Sequence, residues 1–161
     1  MALVDILREL AWHEVEFIVV GGMAGLLRGA PVVTQDVDVV YARNEANITR
    51  LMTVLAELDA VSRTDARRLR IDESLLRSTG HNLLATKLGV LGLLGTIAPG
   101  VGYDELWPDS QTVPMDGRNV RVVTLERLIE VKRGLPRPKD KFMLIQLEAT
   151  LDEQRKAKGQ A

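Results

Sequence analysis

The hydrophobic and polar positions of the chain follow two spacings, one typical of helices and one typical of strands. Apolar residues recur at helical intervals from Leu3 to Leu10, which predicts an opening amphipathic helix that ends near His13. Residues 17–20 are a β-branched run that is too short for a helix and stops at two glycines, so they predict a buried strand. A second helix is predicted from residue 23 to residue 29.

The middle of the chain adds a strand, a helix and a hairpin. Residues 36–41 alternate acidic and apolar side chains and predict a strand with two carboxylates on one face. Residues 46–58 predict a helix, and residues 81–94 predict a hairpin with Gly89 near its turn. The arginine-rich segment 62–78 has no clear period, although Asp72 can open a short helix.

The last third predicts a hairpin followed by two helices. Residues 113–123 suggest two strands with a turn at Asp116, after a single helical turn over residues 104–107. Thr124 is the predicted N-cap of the next helix, and Arg137 starts the last one. Without a repeat or a linker, we expect one domain over residues 1–154 and a polar, disordered tail over residues 155–161.

Composition narrows the classes of protein that fit. The aromatic share of 4% predicts an aliphatic core, and the formal charge of -1 leaves no global basic excess for tight polyanion binding. Cysteine is absent, which excludes disulfides, thiol catalysis and Cys-ligated zinc and fits the cytoplasm, where we expect the protein. The longest apolar stretch, residues 88–97, is far shorter than the roughly 20 residues that span a bilayer. We therefore expect a soluble protein without membrane contacts.

Two consecutive glycines after the first predicted strand are candidate phosphate ligands. Gly21 and Gly22 allow a close approach of the backbone to a ligand, and their N–H groups would lie where a helix dipole favours an anion. The alternative is a tight strand-to-helix turn without a ligand, and two glycines alone do not decide between the two.

Two aspartates on the next predicted strand are candidate metal ligands. Asp36 and Asp38 are two residues apart, so their side chains project from one face and can share divalent cations. Like charges this close repel each other, and cations or solvent must offset that cost. An exposed strand face is the alternative. The ordered combination of Gly-Gly turn, helix and Asp-x-Asp strand is expected by chance much less often than either motif alone.

These motifs resemble the DNA polymerase beta-like nucleotidyltransferase superfamily, particularly its small bacterial members of minimal and toxin-associated type. In that superfamily a Gly-Gly or Gly-Ser motif binds nucleotide phosphates, and Asp-x-Asp binds the metals. The matching positions are Gly21, Gly22, Asp36 and Asp38, with Thr34 just before the acidic pair. The resemblance covers roughly residues 15–150 and implies a nucleotidyltransferase fold of α/β (α+β) type, in which helices flank a small mixed central sheet.

A second segment, residues 124–140, resembles the helical part of the same superfamily that supplies a lysine and then Arg-x-Lys-Asp. By this resemblance Lys132 would contact nucleotide phosphate and neutralise charge during transfer. Arg137, Lys139 and Asp140 would line or brace the site, and Asp140 is also a candidate catalytic residue. For Lys132 the alternative is a solvated lysine that the C-terminal helix dipole favours.

The activity that the resemblance implies is transfer of a nucleoside monophosphate from a nucleoside triphosphate to a hydroxyl group. The acceptor would be an RNA, a protein or a small molecule, and Mg²⁺ or Mn²⁺ would be held by Asp36 and Asp38. A homo-oligomer or a toxin–antitoxin partner is compatible with this family, and residue spacing does not decide between them.

One position departs from the superfamily pattern. Catalytic members usually bring a third carboxylate from a later strand, in a segment resembling Gly-x-Leu-Asp-Leu-Leu, and here Gly92 stands where that acid is expected. Its loss should weaken metal binding and slow the chemistry, unless Asp140, Asp104 or Asp72 substitutes. The alternative function is therefore a catalytically impaired protein that binds nucleotide or serves as a partner or antitoxin subunit.

Two further polar groups have both a functional and a structural interpretation. His81 and Lys87 have even spacing, so they would face one side of a strand as substrate contacts or as ordinary polar alternation. The arginines of residues 63–77 could bind an RNA or an acidic protein. Interleaved acids and the lack of neighbouring aromatic residues favour a solvated face instead.

Overall fold

The computed structural model describes residues 2–159. The elements in chain order are α1 (Ala2–Trp12), β1 (Phe17–Val20), α2 (Gly21–Leu27), β2 (Asp36–Tyr41), α3 (Glu45–Glu57), β3 (Val61–Ser62), α4 (Glu73–Leu76), β4 (His81–Thr86), β5 (Gly89–Leu94), α5 (Tyr103–Leu106), β6 (Ser110–Met115), β7 (Arg118–Val123), α6 (Leu125–Arg133) and α7 (Pro138–Gly159). Among these residues no helix is both long and apolar enough to cross a bilayer.

The strands form one mixed sheet in the order β3-β4-β5-β2-β1-β7-β6. The central strands β1 and β2 are antiparallel, and each has a parallel neighbour on its other side, β7 next to β1 and β5 next to β2. The outer pairs β3–β4, β4–β5 and β6–β7 are antiparallel. The predicted mixed sheet flanked by helices is confirmed, and the two strands that lead into and carry the predicted site lie at its centre.

Aliphatic side chains fill the core, as the low aromatic share predicts. Ile6, Leu7 and Leu10 of α1 are fully buried, and each such side chain contributes about 1.5–3 kcal/mol. A Cβ atom at Gly89 would lie 2.8 Å from Leu3 Cδ2, so α1 packs on the sheet face towards which position 89 points. Because side chains alternate along β5, position 92 points to the opposite face.

Local signals at helix and turn boundaries agree with the structure. Thr124 caps α6 by accepting a hydrogen bond from the Arg127 N–H, and Asn44 caps α3 in the same way through the Asn47 N–H. The β6–β7 turn has positive φ angles at both Asp116 (50°) and Gly117 (80°), the combination that a two-residue hairpin turn of type I′ requires.

Predicted boundaries of α2 and α7 differ from the structure. Helix α2 begins at Gly21 rather than at Met23, so the glycines form its first turn. Helix α7 continues to Gly159, so residues 155–159 of the predicted tail are helical, with exposed side chains. Good helix-forming residues and the Lys156–Asp152 ion pair at 3.0 Å favour this extension. Residues 160 and 161 of the predicted tail lie outside the described residues.

Candidate active site

The glycine turn and the acidic strand meet directly. Val20, the last residue of β1, pairs with Asp38 of β2, and this register brings the next residue, Gly21, beside the Asp38 carboxylate. Gly21 has a φ of +66°, and a Cβ atom there would lie 2.8 Å from Asp38 Oδ2. Both the backbone conformation and the contact favour glycine at this position.

The second glycine contacts the loop that leads into the acidic strand. A Cβ atom at Gly22 would lie 2.9 Å from the Thr34 hydroxyl oxygen, and that hydroxyl donates a hydrogen bond to the Asp36 backbone carbonyl at 2.9 Å. Val20 is the N-cap residue of α2, and in the described part of the chain no side chain caps this end of the helix. The first amides of α2 are therefore left to water or to a ligand.

The two aspartates form a half-buried pair of like charges. Asp36 and Asp38 project from one face of β2, with the buried Val37 between them on the other face. Burial raises the pKa of Asp38 to about 6, with a further contribution from the Asp36 charge, whereas Lys132 acts in the opposite direction. A divalent cation would relieve this repulsion, and carboxylate oxygens are ligands that Mg²⁺ and Mn²⁺ prefer. The donor set therefore fits such a cation.

Gly92 occupies the position where a third carboxylate was expected. It pairs with Asp38 across the parallel β2–β5 ladder, and a Cβ atom at Gly92 would lie only 2.1 Å from Asp38 Oδ1. The Asp38 side chain thus fills the space above the glycine. In residues 2–159 no third carboxylate or imidazole completes a metal-sharing cluster with Asp36 and Asp38.

An ion-pair network around the buried carboxylate of Asp140 joins the two C-terminal helices. Asp140 accepts hydrogen bonds from Lys132 Nζ at 2.9 Å and from Arg137 Nε at 2.7 Å, and its side chain is 2% exposed. Burial alone would raise the pKa of Asp140, but the hydrogen bonds from Arg137 and Lys132 outweigh it and lower that pKa. The Lys132 side chain is 12% exposed, so the interpretation of Lys132 as a solvated lysine is wrong.

Cationic groups from both helices lie within electrostatic range of the acidic pair. Lys132 of α6 and Lys139 of α7 both oppose the rise in the Asp38 pKa. The structure thus brings together the predicted residues of the glycine turn, the acidic strand and the helical segment. Asp140 is the buried partner of Lys132.

Other sequence candidates lie elsewhere or are already paired. Asp72 caps α4 through the Ser74 N–H, and neither Asp72 nor Asp104 joins the acidic pair in a metal-sharing cluster within residues 2–159. Lys87 was expected to share a strand face with His81, which is wrong because β4 ends at Thr86. Lys87 lies in the following turn, where its N–H donates to the Leu58 carbonyl.

The arginine-rich segment carries several ion pairs. Arg67 pairs with Asp65 at 2.9 Å, and Arg70 pairs with Asp59 at 3.2 Å. Arg77 contacts carboxylates of α3 and α4. These arginine side chains are between 45% and 75% exposed, which supports the interpretation of the segment as a solvated face.

Two spatial relationships were not visible in the sequence, although His81 itself was a candidate substrate contact. His81 lies close enough to Asp38 to influence its pKa, which depends on the sheet order β4-β5-β2 and has no local sequence signal. Glu9, His13 and Glu57 form the one three-residue cluster with metal-sharing spacing found among residues 2–159. The helical spacing of Glu9 and His13 is visible in the sequence, but Glu57 joins them only through the packing of α1 and α3.

Comparisons with solved structures identify the fold. The lincosamide antibiotic adenylyltransferase LnuA in its lincomycin-bound form superposes with a TM-score of 0.64 and 14% identity, covering 92% of this chain and 96% of LnuA. ANT(2")-Ia in complex with adenylyl-2"-tobramycin superposes with a TM-score of 0.59 and 15% identity, covering 96% of this chain and 90% of ANT(2")-Ia. TM1012 from Thermotoga maritima, a nucleotidyltransferase by inference, superposes with a TM-score of 0.52 and 16% identity, covering 99% of this chain and 91% of TM1012. No family model and no curated protein sequence matches the chain. At these identities the likeness establishes the nucleotidyltransferase fold.

Proposed function

We propose that the protein is a nucleotidyltransferase that uses Mg²⁺ or Mn²⁺ to transfer a nucleoside monophosphate from a nucleoside triphosphate to a hydroxyl acceptor. The observation that carries the proposal is the contact between the Gly21 turn and the Asp38 carboxylate. It places a stretch of backbone suited to phosphate beside a pair of carboxylates suited to a divalent cation, within a fold shared with adenylyltransferases.

Each residue of the site has a defined task in this proposal. Asp36 and Asp38 would hold the metal, which when bound neutralises phosphate charge and lowers the pKa of a coordinated hydroxyl. The amides of Gly21 and Gly22 would bind the triphosphate, and Thr34 holds their turn against β2 through the contacts at Gly22 and the Asp36 carbonyl.

The cations of the two C-terminal helices would stabilise the charge that develops on the phosphates. The effect of Lys132 and Lys139 on the Asp38 pKa supports this task for the two lysines, and the exposure of Arg137 supports it for that guanidinium. Asp140 acts as a positioning residue, because its buried carboxylate holds Lys132 and Arg137 in place.

The acceptor and the biological setting are finer parts of the same proposal. LnuA is a lincosamide antibiotic adenylyltransferase by name, and the ANT(2")-Ia structure contains adenylyl-2"-tobramycin, which together support a small-molecule hydroxyl as one acceptor class. The resemblance to small toxin-associated members of the superfamily implies an RNA or protein acceptor and a toxin–antitoxin setting in the cytoplasm. We propose all three acceptor classes as candidates for one reaction, in which the acceptor oxygen bonds to the α-phosphorus and pyrophosphate leaves.

Gly92 favours a second candidate function. With no third carboxylate beside Asp38, the cleft would bind nucleotide without turning it over, and the protein would serve as a partner or antitoxin subunit. Nucleotide binding is common to both functions, so only a measurement of transfer separates them.

The test is incubation of the purified protein with each α-labelled nucleoside triphosphate, Mg²⁺ or Mn²⁺, and RNA, protein or hydroxylated antibiotic acceptors. We expect labelled product from the wild type and none above background from Asp36→Ala plus Asp38→Ala. The matched control is Asp104→Ala plus Asp152→Ala, which removes two exposed carboxylates and should leave transfer unchanged. Nucleotide binding without transfer by the wild type would support the second function, and equal transfer by both double variants would refute the first.

A further inference from the structure

His81 lies on the same sheet face as the acidic pair. Asp38 is paired with Gly92, Gly92 is paired with Leu83, and His81 precedes Leu83 by two residues on β4. Directly paired residues and residues two apart share a face, so His81 and Asp38 point to the same side. The two residues lie two strands apart across the sheet and two residues apart along it, so their backbones are separated by on the order of 12 Å. The two side chains are therefore not in contact, and an acceptor hydroxyl bound on this face would lie between them.

The hydrogen bond of the imidazole fixes which ring nitrogen is free. His81 Nε2 lies 2.9 Å from the backbone carbonyl oxygen of Thr96. A carbonyl can only accept, so Nε2 carries the proton, and in the neutral ring Nδ1 has the free lone pair. The residue is exposed, which favours access of a substrate to the ring.

The carbonyl that orients His81 belongs to a tightly packed segment. Thr96 donates its hydroxyl to the Thr79 carbonyl at 3.1 Å, and the Gly95 N–H donates to the Gly80 carbonyl at 3.0 Å. A Cβ atom at Gly95 would lie 2.4 Å from the Ser78 backbone oxygen, so only glycine allows the two backbones to approach this closely. A base oriented in turn by a fixed partner is the arrangement found where side chains take up protons.

We infer that His81 is the general base that takes the proton of the acceptor hydroxyl, in place of the carboxylate that is missing at Gly92. This inference rests on the proposed nucleotidyl transfer and adds the residue that activates the acceptor. A base is needed near Asp38, and within residues 2–159 neither Gly92 nor a clustered carboxylate supplies it.

The proposed step balances in protons and electrons. The acceptor hydroxyl gives its proton to Nδ1 of His81 as its oxygen forms a bond to the α-phosphorus of the nucleoside triphosphate. The bond from the α-phosphorus to the bridging oxygen breaks, and pyrophosphate leaves with that electron pair. Because the ring is exposed, the imidazolium then returns its proton to solvent.

The test compares pyrophosphate release and nucleotide affinity in histidine variants. His81→Ala should lower the turnover rate by about 10²–10⁴-fold with little change in the dissociation constant for the nucleoside triphosphate. His81→Gln should show the same loss of turnover as His81→Ala. Its amide can still donate to the Thr96 carbonyl, but it cannot accept the proton of the acceptor hydroxyl. Added imidazole should restore part of the turnover of His81→Ala. The control is His13→Ala, which removes the only other histidine of the sequence, at the α1–α3 contact.

Each other outcome has a distinct meaning. Wild-type turnover in both His81 variants overturns the inference and leaves the proposed function standing. A loss of nucleotide affinity that accounts for the whole defect, without rescue by imidazole, also overturns it, because His81 would then be a binding contact. If the wild type itself releases no pyrophosphate with any acceptor, the proposed function fails and this inference fails with it.

Discussion

Asp38 and Gly92 are paired across two parallel strands, and the Asp38 carboxylate lies over Gly92 so closely that a Cβ atom there would be 2.1 Å from Oδ1. This contact shows what fills the space at position 92, where the superfamily resemblance predicts a third acid. Asp38 extends into the space that a side chain at position 92 would fill, so the two remaining carboxylates hold a site that is compact but less acidic than a three-carboxylate one.

Restoring an acid at position 92 should make the protein more dependent on metal. In Gly92→Asp the clash falls on the end of a flexible side chain, so Asp38 can rotate away at a cost of about 1–3 kcal/mol. Three carboxylates then repel one another without a cation. We expect a lower Tm than wild type in chelator and a larger rise in Tm on adding Mn²⁺.

The control for this prediction is Gly92→Asn, which has nearly the same size without the charge. It should lose stability in a similar way but gain no additional stabilisation from Mn²⁺. An equal response to Mn²⁺ in the Asp and Asn variants would show that position 92 does not face a metal site.

The glycine turn should be sensitive to an added methyl group in two separable ways. Gly21→Ala strains a backbone with φ of +66° and pushes against Asp38, so we expect a loss of about 1–2 kcal/mol and weaker nucleotide binding. Gly100→Ala has a similar φ of +75° with no atom within 4 Å of the new Cβ. It should lose similar stability and keep wild-type affinity in an equilibrium binding assay, and equal affinity in both variants would contradict the assigned role of Gly21.

The ion-pair network around Asp140 should contribute to stability as well as to function. Lys132→Met leaves the buried Asp140 carboxylate with Arg137 alone, and we expect a loss of about 2–4 kcal/mol in urea-induced unfolding. Arg133→Met, one residue further along α6, removes an exposed side chain and should change stability by less than about 0.5 kcal/mol. Similar losses in the two variants would contradict the buried pairing.

The same network predicts a dependence of stability on pH. The pKa of Asp140 is lowered from its ordinary value of 3.8 because hydrogen bonds from Arg137 and Lys132 outweigh the effect of burial. The Asp140 carboxylate therefore binds a proton more readily in the unfolded chain than in the folded one. Its contribution to the free energy of unfolding is complete above about pH 4 and disappears as the pH falls through the pKa of Asp140 in the folded protein. The stability difference between wild type and Asp140→Asn should shrink over that acidic range, and a constant difference would rule out the linkage.

Local sequence signals were sufficient for much of the fold and for the first half of the site. The run that ends at Gly21 and the alternation around Asp36 and Asp38 are short-range patterns, and the register of β1 and β2 follows once both strands are central. The position of Gly92 opposite Asp38 also follows from the order of residues in β5.

The remaining features depend on tertiary packing. Lys132 meets Asp140 only because α6 and α7 pack against each other, which turns an apparently solvated lysine into a buried one. Lys87 was misplaced because the β4–β5 turn begins one residue earlier than the polar alternation suggests. The proximity of His81 to Asp38 requires the order of three strands, which no local pattern encodes.

The acidic pair is tested most directly by the amount of labelled nucleoside monophosphate that each protein attaches to acceptor in the presence of Mn²⁺. We expect product from the wild type, product from the Asp104→Ala plus Asp152→Ala control, and none above background from Asp36→Ala plus Asp38→Ala. Product formation by the Asp36 and Asp38 double variant at the wild-type rate would contradict the claim that this acidic pair is the centre of the site.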